Sequence, residues 1–86
     1  MRLDLALKRL LLVKSRSEAK EACDVGAVHV NDKPAKAAQE VRVGDRIRIE
    51  YANRTLEVEL LADIGKNVSR ADAKTLYRVL RDEKAS

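Results

Sequence analysis

The sequence has no tryptophan, no phenylalanine and only two tyrosines, Tyr51 and Tyr77. Two rings so far apart in the chain do not make the stacking platform on which single-strand binders lay successive bases. One cysteine, Cys23, excludes an internal disulfide, and a lone thiol is no metal site. With a single histidine, His29, there is no paired-ligand spacing, and the three scattered glycines leave no phosphate-cradling loop. The apolar start is broken by Asp4, Lys8 and Arg9; it is too short to cross a bilayer and lacks the continuous apolar region of a signal peptide. These absences point to a cytoplasmic chain with no catalytic residue, no metal and no cofactor, which acts by binding. A basic helix lying on a membrane surface and an adaptor that binds only protein remain as alternatives from other classes.

What is present is aliphatic and charged. Eighty-six residues predict one domain with a thin core, and 45% hydrophobic content is enough to fold. That core must come from Leu, Val, Ile and Ala. The net charge is +4. It is concentrated in the first twenty residues, where Arg2, Lys8, Arg9, Lys14, Arg16 and Lys20 face only Asp4 and Glu18, whereas the remainder is nearly balanced. A cation cluster of this kind suits a polyanion; its plainer reading is a solvated face.

Apolar spacing sets the elements. Leu3, Leu7, Leu10 and Leu11 predict a helix over Arg2–Val13. Ser15 with Glu18 forms a capping box for a second helix, Ser15–Val25, with Gly26 at its stop. Strands follow at Ala27–Asn31 and at Lys33–Lys36, where Pro34 argues for a sheet edge. A further strand end lies at Val41–Val43, with strands at Arg46–Tyr51 and Thr55–Leu61 and turns at Asn31-Asp32, Gly44-Asp45 and Asn53-Arg54. Ala62–Val68 is expected as a loop. Ser69 with Asp72 caps a third helix from about Arg70 to Asp82, with Ala73, Leu76, Val79 and Leu80 as its stripe. The class is α+β: a two-helix hairpin packed on a small antiparallel sheet, with a C-terminal helix.

Five short stretches in fixed order then carry a resemblance: Arg2-Leu3-Asp4, Lys14-Ser15-Arg16, Ala19, Gly26-Ala27-Val28-His29-Val30-Asn31 and Val43-Gly44-Asp45-Arg46-Ile47. Together they resemble the RNA-binding domain of the ribosomal protein S-four family, whose helical part is the αL RNA-binding motif. The resemblance covers roughly residues 1–50, with 51–86 completing the same domain by final strands and the C-terminal helix. A chain that begins at Arg2-Leu3-Asp4 and ends soon after the sheet is most similar to the stand-alone members of ribosome-associated quality control, and Ala71, Leu76 and Tyr77 match their short tail. That resemblance implies a non-enzymatic factor, monomeric when free. It would bind rRNA and peptidyl-tRNA on obstructed large ribosomal subunits and support C-terminal tailing by a partner that recruits alanyl-tRNA. A heat-shock-type recycling factor of the large subunit, or a generic binder of structured RNA, is the alternative. The family often has Asn-Gly where this chain has Asn31-Asp32.

Placement names the RNA-binding candidates. Arg2 opens the first helix, and Lys14 and Arg16 occupy the inter-helix corner, where a helix N-terminus and a planar guanidinium both suit phosphate. Lys8, Arg9 and Lys20 extend the basic surface, and the family implies Lys33 and Lys36 beside it. Two residues are read as positioning rather than binding. Ser15 caps the second helix; Asp4 either orients Arg16 or Lys8 through a charged hydrogen bond or favours the helix start. Cys23 is read as core and His29 as the outward residue of an edge strand.

Overall fold

The computed structural model describes residues 1–65 and 68–84. Two helices, α1 (Leu3–Arg9) and α2 (Arg16–Asp24), precede a sheet of five antiparallel strands: β1 (Val28–Val30), β2 (Lys33–Pro34), β3 (Arg46–Tyr51), β4 (Arg54–Leu60) and β5 (Tyr77–Lys84). A single helical turn, α3 (Arg70–Ala73), leads into β5. The strand order is β2-β1-β3-β4-β5, so β2 and β5 are the edges. The inward residues of the strands, Val28, Ile47, Ile49 and Val58, join Leu3, Leu7 and Leu10 of the helical layer in one buried core. Of the expected loop Ala62–Val68, residues 66 and 67 lie outside the described residues; Ala62–Gly65 and Val68 have no regular structure.

The first helix stops four residues earlier than its apolar run predicts. Leu11 takes φ +62°, and the Leu11 and Leu12 amides donate back to the carbonyls of Lys8 and Leu7. This pattern is the helix-ending motif that usually places glycine in the left-handed position. The reversal lets Leu10 and Val13 both reach the core although they lie beyond the helix, and it carries the chain back so that α2 starts beside the start of α1. Val41 is buried as expected, but no strand forms there: its amide donates to the Met1 carbonyl, and Glu40 bridges to Arg2. The turn between β3 and β4 is Ala52-Asn53, one residue earlier than expected, because Tyr51 pairs with Arg54.

At the β1–β2 turn, Asn31 (φ +51°) and Asp32 (φ +70°) both adopt the left-handed region that a two-residue hairpin requires. Asp32 therefore holds the backbone shape natural to glycine. Asn31 is tied to the downstream Gly44-Asp45 stretch: its side-chain amide donates to Asp45 Oδ1 at 3.1 Å, while its Oδ1 accepts from the Arg46 amide at 2.9 Å. These two stretches of the motif tie the hairpin to β3.

The C-terminal helix is present but is reduced to the turn Arg70–Ala73, and the expected continuation to Asp82 is corrected to strand β5. Tyr77 faces Leu60 and Val79 faces Val58, but the register shifts before Arg81 meets Glu57. Leu80 is thus the extra residue of a β-bulge. The bulge breaks the alternation of two and leaves Leu76, Val79 and Leu80 at helical spacing. Pairing won because the outer edge of β4 would otherwise leave its N–H and C=O groups without protein partners.

Candidate nucleic-acid interface

The α1 start is fixed by backbone before any side chain is placed. The amides of Leu3 and Asp4 donate to the carbonyls of Gln39 and Ala37 at 2.8 and 3.0 Å. This clamp brings Arg2 alongside residues 36–38. Arg2, Lys20, Cys23, Asp24, Lys36 and Ala37 then line a groove of about 490 Å³. Three of the cations named from sequence are thereby collected on one surface.

Asp4 sits at the centre. It is the one charged residue buried among the described residues. Its Oδ2 accepts from Arg2 Nη2 at 3.2 Å and from Arg16 Nη2 at 3.3 Å, and its Oδ1 accepts from the Leu5 amide at 2.8 Å. Both guanidinium groups remain about half exposed, at 51% and 47%. One buried carboxylate thus holds two half-exposed arginines facing solvent, leaving donor N–H groups free for an anion. Arg16 is not spent on Glu18 or Glu21, and of the two partners considered for Asp4 the structure selects Arg16 over Lys8. Arg2 as the second arm was missed; only contact between the two helix starts reveals it.

The remaining candidates divide. Ser15 Oγ accepts from the Glu18 amide at 3.1 Å, and Glu18 reaches back to the Lys14 amide at 3.4 Å, so the capping box is made with a shift of one residue at its return bond. Lys14 is exposed at the corner. Lys8 and Arg9 lie in the last turn of α1, where they complement the helix dipole. Lys33 is exposed on the edge strand β2. Cys23 is core, as read, and burial followed by the nearby Asp24 pushes its thiol up, away from the reactive thiolate. His29 faces away from the buried Val28 and Val30, as read, but its strand is corrected: β1 is interior, between β2 and β3, and the histidine Nδ1 is buried with no partner among the described residues.

Burial alone would raise the Asp4 carboxyl. The Leu5 amide, the Arg16 guanidinium and the charge of Arg2 outweigh it and hold the group below its ordinary value of 3.8. A carboxylate depressed in the folded state stabilises above the unfolded value, and that contribution is lost as pH falls through the folded one. The melting temperature of wild type should therefore exceed that of Asp4→Asn at neutral pH, and the gap should close below pH 3.8. Thermal melts across an acid series measure it; a gap independent of pH would refute the ion-pair account.

Among the described residues no helix is long and apolar enough to cross a membrane, and no cluster of metal-ligating side chains occurs. Residues 1–47 match the S4 domain family, so the matched segment contains both helices, the clamp and the Gly44-Asp45 turn. The RQC P-site tRNA stabilizing factor of Halalkalibacterium halodurans is 38% identical, with 100% of this chain and 97% of that protein covered. The factor of the same name from Bacillus subtilis is 36% identical over 98% of this chain and 96% of that protein. The solved structure of Heat Shock Protein 15 from Vibrio cholerae superposes with a TM-score of 0.85 at 26% identity, covering 92% of this chain and 80% of that one. The chain belongs to the S4-domain proteins and, within them, to the family of RQC P-site tRNA stabilizing factors.

Proposed function

We propose that this chain is a non-enzymatic RNA-binding factor that docks on large ribosomal subunits carrying peptidyl-tRNA. Its role there would be to steady the tRNA in ribosome-associated quality control while a partner that recruits alanyl-tRNA tails the stalled nascent chain. The observation that carries the reading is the Asp4-held pair Arg2 and Arg16, set beside Lys20 and Lys36 in a chain of this family. Half-exposed guanidinium groups fixed by a carboxylate suit phosphates of structured RNA, where shape and backbone dominate recognition. Selectivity for one ribosomal state would come from a composite surface of rRNA and tRNA rather than from this small domain alone. The second reading is the heat-shock-type one that the sequence resemblance implies, recycling of large subunits without tailing; the likeness in fold to Heat Shock Protein 15 keeps it in view.

Large subunits purified with and without peptidyl-tRNA separate the possibilities on sucrose gradients. The reading expects wild type to travel with tRNA-filled subunits at salt near physiological and to leave empty ones. Equal binding to both would remove the tRNA from the proposal, and absence from both would remove the ribosome. Co-migration that survives ribonuclease digestion would instead mark a protein adaptor.

A further inference from the structure

The arginines of the sheet are internally satisfied: Arg46 and Arg48 pair with Asp32, Arg54 with Asp82, Arg78 with Glu59 and Arg81 with Glu83. Arg70 and Lys74, at α3, pair with no carboxylate of the described residues, and both are exposed. They stand on the rim of a pocket of about 410 Å³ between the end of α1, α3 and the start of β5. Leu10, Leu11 and Ala71 give it apolar walls, and Tyr77 gives it an aromatic one. Tyr51, the other ring, is engaged elsewhere: its hydroxyl donates to the Leu12 carbonyl at 2.6 Å.

Leu11 is the telling residue. It keeps φ +62°, where a branched apolar side chain is strained and glycine is not, and it is 51% exposed. A large side chain is thus retained at a costly backbone position without being buried in the core. Its place is the wall of this pocket.

We propose that this pocket seats one unpaired RNA nucleotide, its base against Tyr77 and Leu11 and its phosphate between Arg70 and Lys74. The proposal rests on the RNA-binding reading above and adds a second contact to it. An aromatic wall with cations at its mouth suits a base and its phosphate together, and a single ring suffices for a single base. The volume lies in the range of small-ligand sites. The pocket is at the opposite end of α1 from Asp4, about 10 Å away at 1.5 Å per residue. One strand or one stem-loop would reach both.

The test compares two RNAs by fluorescence anisotropy: a stem-loop with unpaired loop nucleotides, and a blunt duplex of the same stem. Tyr77→Leu, Leu11→Gly and Lys74→Ala are each expected to weaken stem-loop binding by about five- to tenfold or more, while duplex binding stays within about twofold. Leu11→Gly also relieves the left-handed strain, and Lys74 is exposed, so neither loss would be a folding defect. Unchanged stem-loop binding in Leu11→Gly and Lys74→Ala, or equal losses for both RNAs, overturns the proposal while leaving RNA binding intact. A leucine- and glutamate-rich peptide whose binding falls with Tyr77→Leu when the stem-loop's does not would assign the pocket to a protein partner and likewise overturn it. Wild type binding neither RNA would instead sink the RNA-binding reading itself.

Discussion

Arg16→Ala is expected to bind large ribosomal subunits about ten- to a hundredfold more weakly than wild type while folding normally. The magnitude follows from a charged hydrogen bond, worth about 1.5–3 kcal/mol, at about 1.4 kcal/mol per decade. Folding should survive because the guanidinium is 47% exposed and the buried Asp4 carboxylate keeps Arg2 and the Leu5 amide as partners. If about five or six cations touch phosphate, the log-log salt slope of wild type is about −4 to −5, and loss of one contact should flatten it by about one. Asp4→Asn supplies the informative comparison. It removes a negative charge from a basic surface, which by long-range attraction alone would tighten binding. If Asp4 acts by holding Arg2 and Arg16 in place, binding weakens despite the added positive charge. Wild-type affinity in Arg16→Ala would remove the corner from the interface, and tighter binding in Asp4→Asn would reduce Asp4 to a structural residue.

Leu7→Ala should be the most damaging single truncation for stability. Leu7 is fully buried in α1 and belongs to the single core shared by helices and sheet. Deleting a buried leucine side chain costs about 2–5 kcal/mol, against a total of about 5–15 kcal/mol for a domain. At about 4–8 °C per kcal/mol for a chain of this size, the melting temperature should fall by roughly 8–40 °C. Val79→Ala makes the contrast: Val79 is 51% exposed on β5, and its loss should fall within about 0.5 kcal/mol. Circular dichroism melts of the two side by side test the account. Equal losses would mean that β5 is buried more deeply than its exposure implies.

The strands with clean alternation were legible because one face of each is core. Ile47, Ile49, Leu56, Val58 and Leu60 are buried, as a period of two requires. The second helix was legible from Ser15, whose hydroxyl caps it, and from Gly26 at φ +77°. The two largest departures lie where a residue sits out of pattern. The α1 end was hidden because a leucine fills a place that usually goes to glycine. The C-terminal strand was hidden because one bulged residue converted its alternation into a helical stripe. At the site, composition located the cations and the motif ordered them. Sequence did not pair Arg2 with Arg16 across Asp4, since their meeting depends on how the chain reverses after Leu10. Nor did it mark Arg70 and Lys74, which stand apart only because the sheet arginines have carboxylate partners and these two have none among the described residues.

The two outer strands bear on how the protein behaves when crowded. An exposed strand edge is a template on which a neighbouring chain can add its own strand and begin an aggregate. Here one edge is β2, two residues long and ending in Pro34, which has no N–H to offer. The other is β5, eight residues long, kinked by its bulge and carrying Arg78, Arg81, Asp82, Glu83 and Lys84. A flat, uncharged β5 would expose Val79 and Leu80 on a ready ladder of hydrogen bonds. The kink that obscured this strand in the sequence therefore also disfavours the addition of a neighbouring molecule's strand at this edge.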